Sequence, residues 1–186
     1  MVGAAHPRHG TRMSALPLHR PRETHPLRAP EPAGAADLDQ VSALLAQLFP
    51  ADPTTPPAQE LKALVARRDP YLSVVRAGPQ VAGVALLRDQ PWRPWTNLAF
   101  LGVARGFRGC GIGGALTRHA LETAQRPILR LIVREANRVA LHVYREQGMV
   151  VCGRRTGGRD DALVMMRWTD RQRRAAGLKP AAASLR

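Results

Sequence analysis

Four glycines stand within six residues in Arg108-Gly109-Cys110-Gly111-Ile112-Gly113-Gly114, between an apolar run of strand character and a run of helical period. Each glycine inside a helix costs about 1 kcal/mol relative to alanine, so this cluster needs a physical reason. A helix N-terminus offers unpaired N–H groups and the positive end of the helix dipole. Glycines let that backbone approach a bound anion closely, and pyrophosphate is the typical ligand. Gly109, Gly111 and Gly114 also satisfy G-x-G-x-x-G, and Glu135 follows about twenty residues later, as a dinucleotide site requires. Three features oppose that reading. Arg105-Gly106-Phe107-Arg108 separate the glycines from their strand, three strand-like runs come first, and only 72 residues follow Gly114. No Gly-Lys-Ser/Thr follows, which excludes a P-loop.

The elements around this turn can be read from period and punctuation. Residues 1–26 are rich in Pro, Arg and His without an apolar period, and read as a disordered basic tail or as an extension upstream of Met13. The fold is expected to begin with a short strand near Leu27-Arg28-Ala29. Leu38, Val41, Leu44, Leu45 and Leu48 share one helical face between Asp37 and Phe49. A second helix is expected from Thr55 as N-cap, with Pro56 in its first turn, to Asp69-Pro70. Tyr71–Ala77 and Gln80–Arg88 read as a hairpin across Gly78-Pro79, followed by a strand over Thr96–Ala104. Gly111–Gln125 is helical, and Ile128–Arg134 reads as a strand buried on both faces. Asn137 caps a further helix that Gly148 ends. Two last strands, Met149–Arg155 and Ala162–Trp168, flank Gly157-Gly158, and residues 169–186 read as a basic tail. The expectation is one α/β domain over residues 27–168, with a mixed sheet and about four helices.

Composition narrows the function classes. The chain has 186 residues, 45% of them hydrophobic and 4% aromatic, so its core rests on aliphatic side chains. No apolar run reaches the roughly 18 residues of a membrane helix, and the first residues hold no apolar signal core. Two isolated cysteines, Cys110 and Cys152, make no disulfide framework, which points to a reduced, cytoplasmic protein. The net charge is +14. No nucleic-acid motif or interleaved aromatics accompany it, so nucleic acid is not the expected partner, and neither is a membrane. No metal site is expected.

Two motifs together resemble one family. Val103-Ala104-Arg105-Gly106-Phe107-Arg108-Gly109-Cys110-Gly111-Ile112-Gly113 resembles the acyl-CoA binding motif of the GNAT superfamily of N-acetyltransferases. Arg108, Gly111 and Gly113 stand at its characteristic positions. Asn137, Ala140, Tyr144, Gly148 and Met149 resemble the second segment, with Met where Phe is usual, a volume-tolerant exchange. The resemblance covers residues 27–168. It implies acetyl-CoA as co-substrate and a sheet splayed between its fourth and fifth strands, with the pantetheine arm entering as an extra strand beside Leu101 and Val103. It implies that the N–H groups of Gly109, Cys110, Gly111, Ile112, Gly113 and Gly114 hold the pyrophosphate, with Arg108 adding a charged contact. It further implies that Asn137 bonds the pantetheine arm and that Tyr144 protonates the departing CoA thiolate. Relatives of this kind are often dimers, so a homodimer is among the implied assemblies.

Direct acetyl transfer also needs a neutral amine and a donor for the thioester oxygen, for which the Leu101 N–H is the candidate. The strand before the glycine turn carries no acid. Asp89, Glu60 and Glu135 are the substitute bases, and each reads first as a solvated surface carboxylate. His119 and His142 read as surface or packing residues, and Cys110 as filler of a variable motif position. The leading expectation is an enzyme acetylating a primary amine of a small molecule or polypeptide. A GNAT-fold acyl-CoA sensor and a nucleotide-binding oxidoreductase are the alternatives.

Overall fold

Alternation of buried and half-buried residues sets the strand over Trp95–Val103, whereas Gln80–Asp89 is buried over most of its length, and the two join in one sheet. A computed structural model describes residues 26–50, 52–156 and 161–177. Among these, the strands are β1 (Glu31–Pro32), β2 (Leu72–Ala77), β3 (Gln80–Asp89), β4 (Trp95–Val103), β5 (Ile128–Arg134), β6 (Val150–Arg155) and β7 (Ala162–Trp168). The α-helices are α1 (Leu38–Leu48), α2 (Ala58–Ala66), α3 (Ile112–Thr123), α4 (Arg138–Glu146) and α5 (Asp170–Ala175). The strand order is β1-β2-β3-β4-β5-β7-β6. Only the β4–β5 pair is parallel, and α3 supplies the crossover that a parallel pair requires. This is the expected mixed α/β sheet, with one helix more than anticipated.

Two cores form on the two faces. On one, Ile112, Leu116 and Leu121 of α3 and Leu141 of α4 pack on Leu129, Leu131 and Met165. On the other, Val41 and Leu45 of α1 and Leu61 of α2 pack on Leu72, Val84 and Phe100. Each such side chain contributes roughly 1.5–3 kcal/mol when fully buried. Polar anchors fix the rim of the second core: Arg76 bonds both Asp37, at 2.8 Å from Nε, and Glu31.

Two irregularities shape the middle of the sheet. Between β3 and β4 the register passes from Leu86↔Phe100 to Leu87↔Leu98, leaving Ala99 unpaired. The extra residue is a β-bulge. It puts Leu98 and Leu101 on the α3/α4 face and Phe100 on the α1/α2 face. The β4–β5 ladder, in turn, holds only Trp95↔Ile128, Thr96↔Leu129 and Asn97↔Arg130. Beyond Asn97, β4 stays paired to β3 while β5 stays paired to β7. The two strands diverge, which is the expected splay between the fourth and fifth strands.

Several local expectations are corrected. The second helix starts after Pro57 and not at Thr55, because Pro57 bars Pro56 from the helical region; the Thr55 hydroxyl donates to the Phe49 carbonyl instead, at 3.4 Å. β5 is not buried on both faces: Leu129, Leu131 and Val133 are buried, whereas Ile132 is 38% exposed, since among the described residues no helix covers its second face. The fold also continues past Trp168. Thr169 is buried and caps α5 by accepting from the Gln172 N–H at 3.4 Å, and Arg167 pairs with Asp170 at 2.8 Å. Residues 1–25, Gly157-Gly158 and 178–186, where the two tails and the last turn were expected, lie outside the described residues.

Candidate active site

After β4 the chain makes a short 3-10 turn over Arg105–Phe107 and then enters the glycine segment. Gly109 and Gly111 take φ of +80° and +75°, which glycine adopts without the penalty of a side chain. A Cβ built on either would meet nothing within 4 Å. The space outside the turn is therefore open, as a cradle for a pyrophosphate must be. Gly111 is the N-cap of α3 and no side chain caps that end, which leaves its first N–H groups for solvent or a ligand, with the positive end of the dipole behind them. Arg108 and Cys110 are exposed beside it. The Cys110 thiol faces the Arg108 carbonyl at 3.8 Å.

Three expected site elements meet just inside this turn. A Cβ on Gly113 would lie 3.6 Å from Val143 Cγ1 of α4 and 4.0 Å from Leu101 Cδ2 of β4. One on Gly114 would lie 3.5 Å from Gln147 Nε2. Small residues thus let the start of α3 settle against α4 and β4 together. Leu101 and Val103, half-buried, pack on the α3/α4 core and pair with Ala85 and Gly83 of β3. Their other edge faces the splay.

Helix α4 brings the remaining residues. The Asn137 Oδ1 accepts from the Ala140 N–H at 3.1 Å as N-cap, so any contact with a ligand falls to its amide NH2. Gly148, at φ +74°, ends the helix, and Met149 is buried in the position where the family motif carries Phe. Tyr144 follows Val143 and is 8% exposed. Burial pushes its phenol up to about 12. The hydroxyl therefore stays protonated throughout the neutral range and is available as a donor.

Residues 38–149 match the sequence pattern of the acetyltransferase (GNAT) family. The chain belongs to that family. It is 31% identical over 93 residues to the 5-NmdU N-acetyltransferase of Pseudomonas phage PaMx11, a match covering 50% of this chain and 66% of the relative, just under two thirds of its length. It is 33% identical over 122 residues to the N-alpha-acetyltransferase RimI of Mycobacterium tuberculosis, covering 64% of this chain and 77% of that protein. The structure of yncA from Salmonella typhimurium, solved with its cofactor acetyl-CoA, shares the fold at a TM-score of 0.62 and 17% identity, over 78% of this chain and 94% of that one. GNAT membership removes the dinucleotide reading of Gly109, Gly111 and Gly114.

The substitute bases do not gather at the GNAT splay. Asp89 accepts from the Tyr71 hydroxyl at 2.9 Å and the Thr96 hydroxyl at 2.6 Å and faces Arg126 at 3.6 Å, where β4 and β5 are still paired. Glu60 is held by Arg88 at 2.8 and 3.1 Å, and Glu135 by Arg154 at 2.9 Å. His142 is exposed on α4. Among the described residues His119 Nε2 is buried without a hydrogen-bond partner, and burial pulls its pKa down against the opposing pull of Glu122. Among the described residues no cluster of three or more His, Cys, Asp or Glu could hold a metal, and no helix is long and apolar enough to cross a membrane.

One residue that sets the position of the glycine turn escaped the sequence reading. Gly83 of β3 lies under the first residue of α3: a Cβ there would fall 2.6 Å from Ile112 Cγ2 and 3.2 Å from the Gly102 carbonyl oxygen. Only a residue without a Cβ lets α3 approach the sheet so closely. The signal available was a glycine inside a strand, which marks close backbone or side-chain approach.

Proposed function

We propose that this protein transfers an acetyl group from acetyl-CoA directly to a primary amine of a small molecule or polypeptide. The observation that carries the reading is the divergence of β4 and β5 beyond Asn97–Arg130, with the start of α3 and the middle of α4 closing on Leu101 at its rim. Acetyl-CoA would supply the activated thioester. The N–H groups of Gly109 to Gly114 hold its pyrophosphate, Arg108 adds a charge-assisted contact, and Leu101 and Val103 offer backbone groups to the pantetheine arm. The Asn137 amide NH2 bonds the same arm. The Leu101 N–H faces the thioester oxygen, where a preorganised donor stabilises developing charge.

Tyr144 is the general acid. Its phenol, at about 12, lies some 3.5 units above an ordinary thiol near 8.5, so complete early proton transfer would be uphill by about 5 kcal/mol. It therefore acts late, donating to sulfur as the C–S bond breaks and the charge appears. The acceptor loses its proton without a dedicated carboxylate. The relatives are named a 5-NmdU N-acetyltransferase and an N-alpha-acetyltransferase, which supports N-acetyl transfer and leaves the acceptor's identity to the site itself.

The test is a pair of measurements. Acetyl-CoA raises the melting temperature and NAD does not, because only a ligand of the folded state stabilises it. Thiol release from acetyl-CoA then depends on an added amine. A shift with NAD and none with acetyl-CoA overturns the reading.

A further inference from the structure

Among the described residues no helix covers the second face of the β5–β7–β6 half of the sheet, and that face is basic. Register puts Arg130, Ile132, Met166 and Trp168 on that face, opposite the buried Leu129, Leu131 and Met165. Ile132 and Trp168 are exposed there. At the closed end of the splay, Arg130 donates to Asn97 Oδ1 at 3.1 Å, and its guanidinium lies 5.5 Å from the centroid of the Trp95 ring. Arg93, from the loop before β4, lies 5.2 Å from the same ring. Arg155 stands on the same face of β6, opposite Ala162.

Among the described residues no carboxylate answers these three arginines. Glu135 and Asp161 both turn to Arg154, and Glu60, over the same face of β4, is taken by Arg88. Burial, then Arg155, and more weakly Arg93, push the Arg130 pKa down, with the Cys152 thiol acting the other way. Arg93 and Arg130 are brought together at one ring, and among the described residues no carboxylate joins them there. The Trp95 ring holds two guanidiniums in place through cation–π contact, which suits them to planar, bidentate recognition.

We infer that Arg93, Arg130 and Arg155 form an anion site on the acceptor side of the splay, and that the amine acetylated here belongs to a molecule carrying a carboxylate or a phosphate. The inference rests on the acetyltransferase reading. An arm entering the splay from its open end terminates at the Asn97–Arg130 end. The α3/α4 core fills one face there, so the amine arrives from the open face, past the arginines. Their field has two effects. It attracts the anionic part of the acceptor, and it favours the neutral form of the nearby amine. The second effect gives a site with no carboxylate base a means of deprotonating its acceptor.

The experiment is single-turnover thiol release with matched acceptors: one amine offered as its free carboxylate, its phosphate ester, its amide and a cationic analogue. The anionic forms are expected to exceed the amide in kcat/KM by about tenfold or more, as for a charged hydrogen bond, and the faster of the two names the source of the charge. In Arg130→Gln, and in the fully surface variant Arg155→Gln, that ratio falls towards one while the acetyl-CoA melting shift persists. Equal or better use of amide or cationic acceptors, or an unchanged ratio in both variants, overturns the inference. A second arm needs no turnover: succinate and inorganic phosphate, added with CoA, should change Trp fluorescence saturably in wild type and not in Arg130→Gln. No saturable change with either anion overturns the site even in a working enzyme. Failure of acetyl transfer itself shows separately, as thiol release from no acceptor and no melting shift with acetyl-CoA.

Discussion

Ile112, the first residue of α3, sits on Gly83 of β3 so closely that a methyl group on the glycine would lie 2.6 Å from Ile112 Cγ2. The height of the glycine turn above the sheet is thus set by a residue on β3, the strand next to the one that leads into the turn. We predict that Gly83→Ala destabilises the protein by about 1–3 kcal/mol through overpacking and reduces acetyl-CoA affinity because α3 is lifted. Urea unfolding and calorimetric titration measure the two effects. Wild-type affinity in a destabilised variant would show that the turn does not depend on this contact.

The glycines of the turn separate into two kinds. Gly111 has φ +75° and open space around a built Cβ, whereas Gly113 has ordinary van der Waals room. Gly111→Ala should cost about 1–2 kcal/mol for the left-handed backbone and weaken acetyl-CoA binding. Gly113→Ala should leave stability within about 1 kcal/mol of wild type, helped by helix propensity. Equal unfolding midpoints for the two variants would count against the difference in backbone conformation.

Tyr144→Phe keeps the ring and removes the hydroxyl. If Tyr144 is the proposed general acid, the single-turnover rate should fall on the order of 10²-fold, with acetyl-CoA affinity nearly unchanged, because that interaction would belong to the transition state. A wild-type single-turnover rate would make Tyr144 a packing residue.

The same substitution has a signature in alkali. Because the folded phenol is raised to about 12 from an unfolded value near 10, its full stability is present below pH 10. It is lost as pH rises from 10 through 12, by roughly 2–3 kcal/mol. Tyr144→Phe carries no such loss, so its stability curve should be flatter over that window. Tyr71, which burial and Asp89 also raise, is present in both proteins and cancels in the comparison.

At the acid end the relevant group is Asp37. Burial acts to raise its pKa, but hydrogen bonds from Arg76 and the Gly34 N–H, with the Arg76 charge, hold it below 3.8. Its contribution is present above about pH 4 and is lost as pH falls through the depressed value. Asp37→Asn should therefore cost roughly 3 kcal/mol at pH 7, leaving the Arg76 charge poorly answered, and should flatten the acid limb. Unfolding free energies at pH 3 and 7 for both proteins test this.

What the sequence revealed was local. Gly78-Pro79, Asn137 and Gly148 mark turns and helix ends because their backbone and capping chemistry act within a few residues, and the Gly109–Gly114 cluster is informative for the same reason. What it hid was contact across distance. The unpaired Ala99 is invisible until β3 supplies a register, and Gly83 looks like a weak strand residue until α3 lies on it. The apolar letters of Ile128–Arg134 suggested burial on both faces, yet only packing decides which face a helix covers. Arg93, Arg130 and Arg155 come from a loop and two strands, and only the sheet makes neighbours of them. The end at Trp168 was set too early because Thr169-Asp170 looks polar, and its burial depends on a carbonyl at Pro127, which the Thr169 N–H reaches at 2.9 Å.

Three rungs of ladder join the two halves of the sheet. Among the described residues, the β4–β5 ladder ends at Asn97 and Arg130, and Leu101, Val103, Leu131 and Val133 lie beyond it along the seam. Such a boundary divides a protein into units that open separately. Amide hydrogens lining the seam should exchange with deuterium far faster than those of the β2–β3 and β5–β7 ladders, and a ligand lying along the seam would stitch the halves into one cooperative block. On the proposed mode of binding, the same gap in pairing that receives the ligand would make the mechanical continuity of the sheet a property of the complex.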